Sequence, residues 1–324
     1  MDYTPYKLKS WVDESKLNKD LLSLNPKAIH YILNKLDDKI YNYDKLNGLS
    51  KNPNGSYILS KYVDKIEWEF LSNNANAIHI LEKYPNKIDW DEISKNHNAI
   101  HIIENNLDKV NWDLLSNNPN AINILEKNLN KINWIELSNN PNAITLLEKN
   151  IDKIDWFWLS ENPNAIHLLE ENIDKIHWPS LSTNPNAIHI LEKYPDKIDW
   201  GFLSGNKNAI KLLEKNIDKI SWDRLSTNPN AIDLLKKYPQ FINWDLLTIN
   251  ENASDIIQDN IDKINWYWIS ENPVIFEIDY KILNTYIEPY KEELMQKIFH
   301  PNKVWYFLEK YNYDIGDDEY VDDF

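Results

Sequence analysis

An all-α solenoid of stacked two-helix units is the fold this sequence predicts, on three observations. Trp68, Trp90, Trp112, Trp134, Trp156, Trp178, Trp200, Trp222, Trp244 and Trp266 recur every 22 residues without a break. Asn-Pro breakers recur between them, as at Asn162-Pro163 and Asn184-Pro185. The apolar residues of each unit follow helical spacing: Ala165, Ile166, Leu169 and Ile173 lie at i, i+1, i+4 and i+8. A fixed period marks a repeat architecture, in which each unit is too small to bury its own apolar face and does so against its neighbours.

Taken in order, residues 1–45 read as an N-terminal cap with isolated aromatics (Tyr3, Tyr6, Trp11) and one degenerate repeat carrying Leu22, Ser23, Asn25, Pro26, Ala28 and Ile29. Regular 22-residue repeats fill 46–274, the first with Leu46 where a Trp would sit. Terminal repeats are commonly atypical because one face meets solvent, so an open, elongated array is expected.

Within each unit, Asn followed by Pro suits an N-cap and a first-turn proline, which predicts that the longer helix begins at the proline. Asn128, Asn150, Asn172 and Asn216 sit where a left-handed C-terminal residue is wanted. The shorter helix is expected to begin at each Trp, because Asp89, Asn111, Asn133, Asp155, Asp199, Ser221, Asn243 and Asn265 immediately precede one and are good N-caps. Each Trp shares a helical face with the Leu three residues on, so the ten tryptophans are assigned to the structural core, wedged between layers. Past Pro273 the pattern decays into a C-terminal helical cap, 275–313, interrupted by Pro289 and Pro301, and an acidic tail, 314–324.

Two other architectures share the period. Two hendecads also make 22 residues, but proline in most units breaks a continuous coiled coil at about 3 kcal/mol each. A leucine-rich β-solenoid has repeats of similar length, yet the apolar spacing here is helical rather than alternating, and glycine is scarce at 5 residues in 324.

Composition excludes several function classes. A net charge of −16 disfavours generic binding to nucleic acid or anionic membrane, both of which draw on excess Lys and Arg. The absence of cysteine removes disulfides, thiolate metal sites and cysteine nucleophiles. No apolar run has the length of a signal peptide core or a membrane span, so an intracellular protein without membrane insertion is expected; the oligomeric state is left open, with a monomer favoured.

Several columns invite chemistry. His79, His101, His167 and His189 share one repeat position, but layers about 8 to 10 Å apart keep them from converging on one ion, which needs nitrogens at about 2 Å. Glu82, Glu104, Glu126, Glu148, Glu170, Glu192 and Glu214 recur beside polar residues, as a solvated helix face does. The lysines at 87, 109, 131, 153, 175, 197, 219 and 263 stand among Asp and Asn, giving a mixed field. No phosphate loop, nucleophile elbow or metal motif interrupts the array, so no enzyme, cofactor or metal is expected.

Positions that vary between units are where function can be written, because repetition fixes the rest. The two residues after each Trp vary most, and aromatics there are not demanded by the repeat. Phe70, Phe157, Trp158, Phe202, Tyr267 and Trp268 are therefore the candidate partner-binding residues, since exposed aromatics anchor protein interfaces.

The LSxNPNAIxLLExNxDKIxW unit, with FHPNKVWYFLEKYNYD at 299–314, resembles the short helical-repeat proteins of large nucleocytoplasmic, mimivirus-like DNA viruses of protists. The resemblance covers about residues 20–314 and implies a non-enzymatic repeat protein acting in infected cells or virions, with no catalytic residues to carry over. Ala75, His97, Lys207 and Glu251 depart from it where proline is replaced. The expected function is a protein-protein interaction module or scaffold. The alternatives are an acidic decoy or nucleic-acid-associated regulatory factor and, last, an enzyme with an unrecognised site.

Overall fold

The computed structural model describes residues 4–36 and 47–311. The chain divides into two compact bodies, Leu8–Phe276 and a second made of Met1–Lys7 with Glu277–Phe324. The first is an α-solenoid of helix pairs repeating every 22 residues.

One unit shows how the sequence folds. The first helix, Trp156–Glu161, starts at an N-cap, Asp155, whose carboxylate accepts the Trp158 N–H. Asp89, Asn111, Asn133, Asp199, Asn243 and Asn265 cap their helices in the same way, as expected, and His177 does so through Nδ1. Asn162 then ends this helix rather than starting the next. Its Oδ1 accepts the Asn164 N–H at 3.0 Å and its carbonyl accepts the Ala165 N–H at 3.2 Å, which closes Asn-Pro-Asn-Ala into a turn. The second helix, Ile166–Glu171, therefore begins three residues beyond the proline at which it was expected. A single turn of 3₁₀ helix, Ile173–Lys175, leads to the next cap.

Asn172 corrects a second expectation. Its φ of −131° is not left-handed. It closes the helix instead through its side chain, whose Nδ2 donates to the Leu168 carbonyl at 2.9 Å, and Asn106, Asn128, Asn150, Asn216 and Asn260 do likewise.

The ten tryptophans are half-buried, not enclosed. What fills the interior of each unit is smaller: Leu159, Ser160, Asn162, Ala165, Leu168 and Leu169 are buried, with Ile176 sealing the end. Eight of the ten half-buried indoles are covered in one of two ways. Lys109, Lys153, Lys175, Lys219 and Lys263 lie 4.5 to 4.9 Å over Trp90, Trp134, Trp156, Trp200 and Trp244 respectively, in units whose second helix ends in Asn. Where that Asn is replaced by Tyr before Pro, the phenol ring packs on the indole instead, as in Trp68–Tyr84, Trp178–Tyr194 and Trp222–Tyr238.

Buried polar side chains join the units. Asn162 Nδ2 donates to the Ser138 and Asn140 carbonyls of the preceding unit, both at 3.0 Å. Ser160 Oγ donates to Trp156 O and accepts the His177 N–H of the following unit. At the surface, Asn164 Nδ2 donates to the Pro141 carbonyl. That last acceptor is backbone, so Ala75, His97 and Lys207 serve Asn98, Asn120 and Asn230 equally well.

The ladder has no end. Asn25, Asn52, Asn74, Asn96, Asn118, Asn140, Asn162, Asn184, Asn206, Asn228, Asn250 and Asn272 each donate to the unit before, and for Asn25 the unit before is the last one. Asn25 Nδ2 donates to Ser270 O at 3.2 Å and Asn272 O at 2.9 Å, while the Asn18 N–H donates to Ser270 Oγ at 2.8 Å. Twelve units among the described residues thus form a closed circuit, not the open array with solvent-facing ends that the atypical first repeat suggested. Lys16 lies 5.0 Å over Trp266, taking the place that the covering lysine holds in regular units. The Lys9 N–H also donates to Ile275 O, and Lys9 Nζ reaches Ser254 Oγ at 2.8 Å.

Strand β1, Tyr6–Leu8, pairs with strand β2, Phe276–Ile278. In the second body the Asp279 N–H donates to Pro5 O at 2.8 Å and Lys7 pairs with Glu277 at 3.3 Å. Its helices are Tyr280–Ile298 and Pro301–Tyr311. Pro289 lies inside the first of these instead of breaking it, while Pro301 begins the second. The acidic tail, 314–324, lies outside the described residues, as do Tyr3 and Leu46.

Candidate protein-binding surface

Successive first helices pack directly on one another from Lys19–Leu24 to Trp244–Leu247, and the second helices contact one another less. In a curve that closes, the more tightly spaced elements take the shorter path. The first helices therefore lie on its inner side. Leu159 and Ser160 are buried on one face of Trp156–Glu161, and Phe157 and Trp158 are exposed on the opposite one.

Five of the six candidate aromatics are exposed: Phe157, Trp158, Phe202, Tyr267 and Trp268. Tyr267 is the most open, at 50%. Phe157 and Trp158 form an edge-to-face pair with centroids 5.1 Å apart, and Tyr267 and Trp268 repeat it at 5.0 Å. Phe202 is covered on one face by Arg224, 4.3 Å from its centroid. Phe70 is only half-exposed, and Lys51 Nζ lies 3.7 Å over its ring. The residues do not form one patch. Phe70 belongs to the third unit, Phe157 and Trp158 to the seventh, Phe202 to the ninth and Tyr267 and Trp268 to the twelfth, so they are distributed around the circuit.

Sequence reasoning missed Leu246 and Ile249. Ile249 occupies the position five residues after Trp, where the other regular units from Trp68 onward carry Asn, Lys, Glu, Thr or Gly. That singular apolar residue was visible in the aligned repeats. With Leu246 and Trp268 it lines a cavity of about 450 Å³ between the last two units.

The repeated polar columns are spent on surface contacts between layers. His101, His167 and His189 bond Glu82, Glu148 and Glu170 of the preceding unit through Nε2. No group of three or more potential metal ligands occurs among the described residues. No described helix is long and apolar enough to cross a membrane. Two exposed carboxylates at the start of the circuit are held below their usual pKa, Asp13 by hydrogen bonds from Ser15 and Glu14 by a hydrogen bond from Tyr31 and then by Lys35.

Comparison with protein-family models, curated proteins and solved structures finds no match.

Proposed function

We propose that this protein is a non-catalytic repeat module that binds a protein partner, with the first-helix aromatics as its anchors, and that it acts in cells infected by a large DNA virus or in the virion. The observation that supports this reading most is the pairing of exposed rings at variable positions, Phe157 with Trp158 and Tyr267 with Trp268, on a scaffold that does not need them. Burying an aromatic anchor of this size contributes a large share of binding energy in protein interfaces. The interlayer hydrogen bonds fix the backbone of the helices that carry those rings, which lowers the ordering cost of binding.

The test is reconstitution with a purified partner obtained from infected cells. Phe157→Ala with Trp158→Ala, and separately Tyr267→Ala with Trp268→Ala, are compared with Glu104→Gln on the second-helix surface. A rise in Kd of about 30-fold or more for either aromatic pair, from a loss of about 2 kcal/mol, supports the proposal. Unchanged affinity for both pairs, with unfolding curves matching the parent, removes these residues as anchors.

A further inference from the structure

A cavity lies between the eleventh and twelfth units. Its floor is apolar, with Leu246 and Ile249 from one layer facing Trp268 from the next, and its rim carries Asp245, Glu251 and Glu271. Ile249 and Trp268 are 48% and 44% exposed, so the floor is open to solvent.

Unit seven provides an internal control, because its WFWLSE segment is nearly the same as WYWISE in unit twelve. There the preceding layer offers Glu136 and Asn139 in place of Leu246 and Ile249. Glu161, the counterpart of Glu271, accepts a hydrogen bond from Ser180 Oγ at 3.0 Å. By contrast, the Glu251 and Glu271 carboxylates have no hydrogen-bond or ion-pair partner among the described residues, while Asp245 accepts one bond from Asn265 Nδ2 at 2.9 Å. Lys263, the nearby lysine of the covering column, lies over Trp244.

An apolar floor with an open indole face under a rim of uncompensated carboxylates is complementary to one chemical group. We propose that this cavity receives an arginine side chain of a partner polypeptide. The methylene stem lies against Leu246 and Ile249, the guanidinium plane stacks on Trp268, and Glu251 and Glu271 accept its N–H bonds. Arginine is favoured over lysine because its planar, weakly hydrated head can stack and pair at the same time. The inference rests on the reading of the protein as a peptide-binding scaffold and specifies what one of its subsites accepts.

The test needs no knowledge of the partner. The full chain is titrated with a labelled Ac-Gly-Arg-Arg-Gly-amide peptide and with its citrulline analogue, which keeps the shape and lacks the charge. Saturable binding of the arginine peptide below about 5 mM, falling as salt rises, is expected. Glu251→Gln with Glu271→Gln is expected to weaken it about tenfold or more, as is Trp268→Ala, while Glu161→Gln leaves it unchanged. Matching unfolding curves establish that the variants fold. The proposal is overturned by absence of saturable binding, by equal binding of the citrulline peptide, or by a carboxamide double variant that binds like the parent. Loss of partner binding in the Phe157/Trp158 variant with peptide binding intact leaves the subsite standing, so the two proposals fail separately.

Discussion

Replacing Asn162 by alanine removes one rung of the ladder. The side chain is fully buried and makes three hydrogen bonds: Nδ2 to Ser138 O and Asn140 O, and Oδ1 from the Asn164 N–H. Water cannot replace them without opening the contact between layers. A buried polar group left without its partner costs about 1–3 kcal/mol. Ser138 O and the Asn164 N–H lose their partner while Asn140 O keeps the Ala143 N–H, so two such groups, partly offset by relaxation, amount to about 2–4 kcal/mol. Asn164→Ala is the matched control. It loses a single exposed bond to Pro141 O, with an expected cost of about 0.5–1.5 kcal/mol. Urea unfolding followed by circular dichroism measures both, and hydrogen exchange at the Asn164 amide reads the local opening if the array does not unfold in two states. Equal costs for the two variants, or a cost below about 1.5 kcal/mol for Asn162→Ala, would refute the claim that buried asparagine amides hold the layers together.

Other expectations follow from the same contacts. Lys207→Pro restores the residue found at this position in most units, where the carbonyl serves Asn230 and the backbone N–H makes no internal bond; it should raise stability by about 0.4–1 kcal/mol, seen as a higher urea midpoint. Lys175→Met keeps the aliphatic stem over Trp156 and deletes the charge 4.7 Å from the ring. The expected loss is about 0.5–1 kcal/mol, and no loss would show that only the stem matters. For Glu14, the Tyr31 hydroxyl first and Lys35 second depress the folded-state pKa below the 4.5 of an unpaired glutamate. A depressed carboxylate contributes stability that is present above the unfolded pKa and lost as pH falls through the folded one. Glu14→Gln should therefore lower stability at neutral pH and narrow the gap to the parent below pH 4.5, measured by unfolding at a series of pH values.

The two-helix unit was legible because its signals are local. An Asp or Asn before each Trp caps a helix wherever the chain is placed, and the 3.6-residue spacing of Ala165, Ile166 and Leu169 does not depend on neighbours. Asn162 was misread because a side chain that could cap the following proline instead reaches back to Ser138 and Asn140, 24 and 22 residues earlier. The tryptophans were placed in the core by their size. The space between helices is filled by Leu159, Ala165 and Leu169, leaving the indoles half-covered at the margin under lysine or tyrosine. A column of Ser and Asn at fixed spacing was the available sign that polar side chains form the interior, since such residues can be buried when every donor finds a carbonyl. Closure could not be read from any one unit. It depends on a small rotation summed over twelve of them, and the irregular first repeat resembles a solvent-facing end although Asn25 bonds Ser270 and Asn272.

The closed circuit is tested most directly by a distance across its closing contact. The native chain has no cysteine, so Ser15→Cys with Tyr267→Cys gives two unique sites for spin labels. Lys16 lies over Trp266 at 5.0 Å, and the account predicts a single short label separation, below about 30 Å, by pulsed electron resonance. An open array of twelve units would place these sites roughly 90–110 Å apart at eleven helix-packing intervals. A distribution dominated by long distances beyond about 60 Å would contradict closure.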